Sequence, residues 1–531
     1  MKNRLQMFLS MSGFTAPVRA TAALIVTALI LSPLAAAEFA SATPAGIPAA
    51  EIDRYMEQQM AQTHIPGIAL AIVRGQEIVY LKGFGTASLR RHTAVTPQTI
   101  FDLASCSKSF TALAVLMLWN DGAIDIDKSV TTYLPEFRLM HETISSEITV
   151  RELLVQTSGI PGTFAEPLAF HNGNDAMAQL VASMAHIQSV RSPGTTFEYS
   201  NLNYCLLGAL VERVSGETFE NFIQERIFTP LGMKNSTCRP DVAATHDRAD
   251  GHQLLLGKVV TRDVPVYRSM VPAGWAMSCA EDMGRWIIAN LNDGAIDGKQ
   301  VIPPELVQAM HATATTVVKD GREAGYGMGW FTSTTGDGSS VLWHGGDTPN
   351  FLSEMILLPE QKLGVVMLAN GQTWPNAHQI AIDVAGMVLG TKFDLPAAPW
   401  WASWKSIDNI SIYATILAMV MIAGLVPYAW WQTHVVRWLR QKKAPLPKGR
   451  RIRLWWLVVP ATPWMLFALL ASGAYVVFET LFGFNVFRTV ARFGYFAPPG
   501  VIVAAVAILL ALFLWALALS ITTIFRATAR A

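Results

Sequence analysis

From Phe110 to Trp119 the chain is apolar almost without a break, and Asn120-Asp121-Gly122 ends the run, so a helix buried on all sides is predicted here. Gly67 to Val73 and Ile78 to Gly85 are apolar or alternating runs joined at Arg74-Gly75-Gln76, the pattern of a hairpin. A second hairpin is predicted from Phe351 to Leu358 and Leu363 to Asn370, around Pro359-Glu360-Gln361-Lys362, with a helix from Ala377 to Leu389 after it. Another apolar helix is expected from about Tyr204 to Val214, downstream of a turn at Arg191-Ser192-Pro193-Gly194. Val341 to Asp347 reads as a strand that runs into glycines. Strands at both ends with helices and loops between them imply an α+β domain, an antiparallel sheet assembled from the two ends and flanked by a helical region.

Composition adds a membrane part. Of 531 residues 51% are hydrophobic and only 15% charged, too apolar for one soluble domain. Three stretches, at about 410–432, 454–478 and 500–522, are long enough to cross an apolar core of ~30 Å as transmembrane helices. The loop 433–453 carries Arg437, Arg440, Lys442, Lys443, Lys448, Arg450, Arg451 and Arg453 and no acid, which places it in the cytoplasm and everything before Ile410 outside. Lys2, Arg4 and Arg19 precede an apolar run from Ala20 to Ala36 that ends in small residues, a secretory signal peptide with an uncleaved anchor as the alternative.

The expected organisation is a signal peptide at 1–37, a linker at 38–47, a periplasmic domain at 48–395, a juxtamembrane linker at 396–409 with Trp400, Trp401 and Trp404, and a membrane domain at 410–531 in a bacterial inner membrane. Membrane lipids are therefore expected partners. The net charge of +1 argues against nucleic acid. Eleven His residues without metal-ligand spacing give no reason to expect a metal, and no cofactor is expected. Four cysteines define no disulfide framework; Cys238 and Cys279 could pair in an oxidising compartment, and the sequence leaves this open, as it does the oligomeric state.

The candidate chemistry starts at Ser105-Cys106-Ser107-Lys108, where a hydroxyl and an amine stand three residues apart at the start of the buried helix. One helical turn puts both on one face, a nucleophile beside its base, close to the positive end of the helix dipole. The alternative makes Ser105 an N-cap and Lys108 a solvated first-turn residue. Tyr199-Ser200-Asn201 and His344-Gly345-Gly346-Asp347 follow; taken singly, the first is equally a turn and the second equally a strand terminus.

In this order the three segments resemble the serine β-lactamase and penicillin-binding protein family, whose class C and esterase branches use Ser-x-x-Lys, Tyr-x-Asn and a Lys/His-x-Gly strand. The resemblance covers about Ile47 to Leu389 and includes Phe101-Asp102-Leu103-Ala104, Thr157-Ser158-Gly159-Ile160, Pro230-Leu231-Gly232-Met233 and Tyr326-Gly327-Met328-Gly329-Trp330. Gln156 departs from it, standing where many relatives carry His.

The resemblance implies a β-lactamase/transpeptidase-like domain in which Lys108 takes the proton of Ser105, Ser105 forms an acyl-enzyme, and Tyr199 relays the proton to the leaving amine. Lys108 would then need its pKa lowered from ~10.4 to near 7, roughly 4 kcal/mol. It also implies an oxyanion hole of the backbone N–H groups of Ser105 and Asp347, and substrate contacts from Asn201, His344, Gly345 and Gly346. His344 stands where a β-lactamase has Lys, a weaker and pH-dependent positive charge.

A signal segment, an exported Ser-x-x-Lys domain and three C-terminal helices look like the membrane-anchored prodrug-activating peptidases of nonribosomal peptide pathways, the colibactin-maturation type. Their run resembles His344 to Phe351, and Asn350 would meet a primary amide side chain of the substrate. The implied function is removal of an N-acyl-D-asparagine cap from an exported peptide. Asn201 and Met270 depart from residues some of these peptidases carry. A general penicillin-recognising DD-peptidase, esterase or β-lactamase is the alternative, and a non-catalytic penicillin sensor is the alternative of another class.

Overall fold

The structure, a computed structural model, describes residues 46–162, 170–319, 322–335, 338–371, 376–393, 404–427, 430, 434, 437 and 499–528. The chain divides into a short N-terminal unit, Met1–Ala49, and a body, Ala50–Ala531, that holds the sheet and the candidate chemistry.

An antiparallel sheet runs in the order Thr315–Lys319, Arg322–Tyr326, Phe331–Thr334, Ser340–Asp347, Leu352–Leu358, Leu363–Ala369, Gly67–Arg74, Glu77–Ser88 and Thr93–Ala94. The two predicted hairpins are its centre. They join through Gly67–Arg74 and Leu363–Ala369, with Ile68 opposite Ala369 and Arg74 opposite Leu363, so the two ends of the domain close on each other. Leu352–Leu358 and Leu363–Ala369 are buried throughout because helices cover both faces. Ala280–Leu291 packs on one face, where Gly284 meets Ala71 and Ile78. Ala49–Thr63 and Asn376–Leu389 lie on the other, linked by Tyr55 Oη donating to Asp383 at 2.5 Å.

Three strands on one side of the sheet, Thr315–Lys319, Arg322–Tyr326 and Phe331–Thr334, and the small hairpin of His252–Leu255 with Lys258–Thr261, extend the expected pattern. They are short and largely polar, so their apolar periodicity is weak and pairing with neighbours defines them.

The predicted buried helix is Ser107–Asn120, preceded by a 3-10 turn at Ala104–Cys106. Phe110 packs on Trp286 and Phe228, ring centroids 4.5 and 5.2 Å away, tying this helix to Ala280–Leu291 and to the helical region. The second apolar helix spans Asn201–Ser215, starting three residues before the expected Tyr204. Polar Asn201 and Asn203 are helical because each has a partner inside the protein, Lys108 for the first and Gln156 and Ser158 for the second.

All four cysteines, Cys238 and Cys279 included, are buried free thiols. Among the described residues two helices follow the domain, Trp404–Ala423 and Pro499–Thr528, and Trp515 donates to Met421 O between them. Among the described residues one helix, Asn409–Pro427, is long and apolar enough to cross a membrane; Val503–Leu519 is a shorter apolar stretch. The expected span at 454–478, the signal peptide at 1–37 and most of the basic loop 433–453 lie outside the described residues.

Candidate active site

Ser105 sits in the 3-10 turn, half-buried, between a short strand and the buried helix. Arg248 anchors the approach, its Nη2 donating to both carboxylate oxygens of buried Asp102 at 2.7 and 2.9 Å. Ala104 adopts φ +45°, left-handed backbone that costs a non-glycine residue of order 1–3 kcal/mol. The strained residue immediately precedes the candidate nucleophile.

Lys108 is fully buried on the first turn of Ser107–Asn120. Its Nζ lies 3.0 Å from Ser105 Oγ, 2.6 Å from Asn201 Oδ1 and 2.6 Å from Ala273 O. The N-cap alternative fails: the cap position falls on Cys106, which makes no side-chain cap bond, and Lys108 is not solvated. Asn201 and Ala273 present oxygens that only accept, so two N–H bonds of Lys108 are committed to them. A neutral amine then has its lone pair left for the Ser105 hydroxyl, and the ammonium formed by proton transfer fits the same three directions. Both holding oxygens are neutral, so they favour the ammonium less than a carboxylate would.

Ala273 is held by stitching along the turn. Thr111 Oγ1 donates to Pro272 O at 2.7 Å, Ala276 N donates to Ser107 Oγ at 3.0 Å, and Leu103 N donates to Ala276 O at 2.8 Å. Sequence reasoning did not reach the Ala273 carbonyl, because a backbone acceptor leaves no mark on residue type.

Tyr199 sets its ring centroid 4.9 Å from Lys108 Nζ, and the Tyr204 ring lies 5.7 Å from the same atom. Ring faces favour a nearby cation by about 0.5–2 kcal/mol. The Tyr199 ring stacks near Phe331, centroids 6.3 Å apart at 13°, and meets Tyr326 edge-on at 6.5 Å.

The Ser340–Asp347 strand docks on the Ser105 turn. Cys106 Sγ donates to His344 O at 3.1 Å, and Ser353 Oγ, on the neighbouring strand, donates to Leu103 O at 2.6 Å. Gly346 makes this approach possible, since a Cβ there would lie 2.3 Å from Leu103 O and 2.3 Å from Ser353 Oγ. Gly345 pairs opposite Glu354, and Asp347, opposite Leu352, ends the strand. Asp347 is exposed at the end of the strand.

The structure thus brings Ser105, Lys108, Tyr199, Asn201 and the His344–Asp347 strand together. His344 is 1% exposed, with Nδ1 2.8 Å from Gly345 O and its ring packed among Tyr199, Tyr326 and Phe331. Asn350 is placed differently. Its side chain is buried, Nδ2 donating to Arg262 O at 2.8 Å and Oδ1 accepting from Thr348 Oγ1 at 3.3 Å, so it ties the turn after the strand to the His252–Thr261 hairpin. Met270 also faces the interior, its sulfur 3.5 Å from Cys205 Sγ.

A family model described as Beta-lactamase matches residues 52–386. Protein flp of Staphylococcus aureus (strain MW2) is 29% identical over 324 residues, 60% of this chain and 62% of the relative. The chain thus spans about three fifths of the length of this curated relative. Penicillin-binding protein 4 of Amycolatopsis lactamdurans is 28% identical over 352 residues, 63% of this chain and 90% of the relative. Among solved structures, the octameric penicillin-binding protein homologue from Pyrococcus abyssi is similar with a TM-score of 0.57 and 26% identity, over 65% of this chain and 78% of that one.

Proposed function

The chain belongs to the beta-lactamase family, and on that premise we propose that it is a serine hydrolase that opens amide or ester bonds through an acyl-enzyme on Ser105. The observation that carries this is Lys108 Nζ, 3.0 Å from Ser105 Oγ and also bonded to the neutral carbonyls of Asn201 and Ala273.

Lys108 accepts the Ser105 proton as Oγ bonds to the substrate carbonyl carbon. The resulting oxyanion is met by the backbone N–H groups of Ser105 and Asp347. The proton passes by way of Tyr199 to the leaving nitrogen, the C–N bond breaks, and the acyl-enzyme remains. Water then attacks with the proton path reversed, releasing the acid and regenerating Ser105.

The substrate we infer is an exported, N-acylated peptide carrying a D-amino acid cap of D-asparagine type, cut outside a bacterial inner membrane into which the C-terminal helices anchor the enzyme. The apolar helix Asn409–Pro427 and its exposed face, with Tyr413, Leu417 and Val420, support an anchor. So does the resemblance of His344 to Phe351 to prodrug-activating peptidases. A second reading, a penicillin-recognising peptidase or esterase, is favoured by the likeness to Penicillin-binding protein 4.

Mass spectrometry of N-myristoyl-D-Asn-capped and L-Asn-capped amides, incubated with detergent-purified wild type and Ser105→Ala beside a chromogenic β-lactam, separates them. Serine-dependent release of acyl-D-Asn alone is the expected result. β-Lactam turnover with both caps intact moves the assignment to the second reading, and no serine-dependent reaction in any arm overturns both.

A further inference from the structure

We propose that Gln156 is the positioning residue for Tyr199, setting where that hydroxyl meets the Ser105–Lys108 pair; the proposal rests on acyl transfer at Ser105 as described above. Tyr199 belongs to no helix or strand, so what fixes it is the destination of the backbone groups around it. Both flanking amides go to one residue. Glu198 N donates to Gln156 O at 2.8 Å, and Ser200 N donates to Gln156 Oε1 at 3.0 Å. Gln156 thus grips the segment on either side of the tyrosine, once with its backbone and once with its side chain.

The grip is itself held. Gln156 is fully buried at φ +62°, left-handed backbone that aims its carbonyl and its carboxamide toward the same segment. Asn203 Nδ2 donates to the same Oε1 at 2.6 Å, and Ser158 Oγ donates to Asn203 Oδ1 at 2.6 Å, both inside the core. Ser200 Oγ donates to Pro161 O at 2.9 Å. Gly162 lies so close to the Tyr199 carbonyl that a Cβ would fall 1.8 Å from the oxygen. The loop from Gln156 to Gly162 is therefore the seat of Tyr199, and Gln156 is the residue in it whose side chain holds the amide that follows the tyrosine.

Fixing a reacting group matters steeply, since a displacement of about 1 Å can lower a rate by about 10²-fold. A structural role alone would lower stability without singling out the step that Tyr199 performs. The two are separated by a double-mutant cycle on the full chain in detergent, read as acylation by a fluorescent penicillin and turnover of p-nitrophenyl acetate. Gln156→Met, which keeps the chain length and removes the acceptor, is expected to slow serine-dependent reaction by about 30-fold or more with KM changed less than about 3-fold. Gln156→Glu, which retains an accepting oxygen, should restore the rate to within about 5-fold of wild type. In a Tyr199→Phe background, Gln156→Met should cost no more than about 2-fold, because the group it positions is gone.

Should Gln156→Met fail to fold, Gln156→Asn, which draws the acceptor back by one methylene, carries the same expectation at about 10-fold. An equal loss in the wild-type and Tyr199→Phe backgrounds overturns the proposal, as does an unchanged rate with a lowered melting temperature. A wild-type rate in Tyr199→Phe, or full activity in Ser105→Ala, instead overturns the acyl-transfer premise, and a wild type inert to both probes does the same.

Discussion

Asn201 Oδ1 accepts a hydrogen bond from Lys108 Nζ at 2.6 Å, so the amine that faces Ser105 is steered by a neutral amide. Replacing that amide by a carboxylate tests whether neutrality matters. In Asn201→Asp the new charge stabilises the ammonium and raises the lysine pKa, so less neutral base exists at a given pH. The acid limb of the pH–rate profile should move to higher pH by about 1–3 units, with the rate at neutral pH falling by about 10-fold or more. A profile that stays in place would show that Lys108 is not the titrating base.

Gly346→Ala should be far more damaging than its size suggests. The new methyl would enter the contact with Leu103 O and Ser353 Oγ, pushing the strand off the Ser105 turn. Overpacking of this kind costs about 1–3 kcal/mol of stability, and the altered spacing of the Ser105 and Asp347 amides should slow acylation by about 10²-fold. Thermal denaturation and single-turnover acylation read the two effects separately.

His311 supplies a pH dependence of stability that is independent of the active site. Its Nε2 meets Asn290 Oδ1 at 3.0 Å and its ring packs edge-on to Trp330, centroids 5.5 Å apart; burial lowers its pKa to about 4. Above the unfolded value of ~6.5 the imidazole is neutral in both states and nothing is lost. Between ~6.5 and about 4 the unfolded chain alone binds the proton, so stability falls with pH, by roughly 3 kcal/mol in all, and the fall levels off below. Urea denaturation between pH 7 and 4 should show this slope, and His311→Gln should flatten it. An unchanged slope would place the acid sensitivity elsewhere.

Topology is open to direct test. Alkaline phosphatase fused after residue 395 should be active in a bacterial host, and fused within 433–453 inactive, if the catalytic domain lies in the periplasm and the basic loop in the cytoplasm. The reverse pattern would contradict the orientation.

Much of this arrangement is written locally in the chain. Ser105 and Lys108 are three residues apart on one turn, so their meeting needs no long-range information, and the two hairpins announce themselves through continuous apolar runs with a turn between. What escaped the sequence depends on partners far along the chain. Ala273 reaches Lys108 from 165 positions away with a backbone oxygen that any residue would offer. Asn350 looked like a substrate contact from its place in a motif, yet its amide is taken by Arg262 O, 88 residues away. The strands from Thr315 to Thr334 lack a strong apolar alternation and gain their identity from the sheet they join.

The most direct test of the Ser105–Lys108 assignment is intact-protein and peptide mass spectrometry of the full chain in detergent, quenched after brief exposure to a chromogenic penicillin and to an activated ester. An acyl adduct on the peptide containing Ser105 is predicted in the wild type, none in Ser105→Ala, and formation slower by about 10²–10⁴-fold in Lys108→Ala. An adduct that maps to another residue, or that persists in Ser105→Ala, would contradict the assignment.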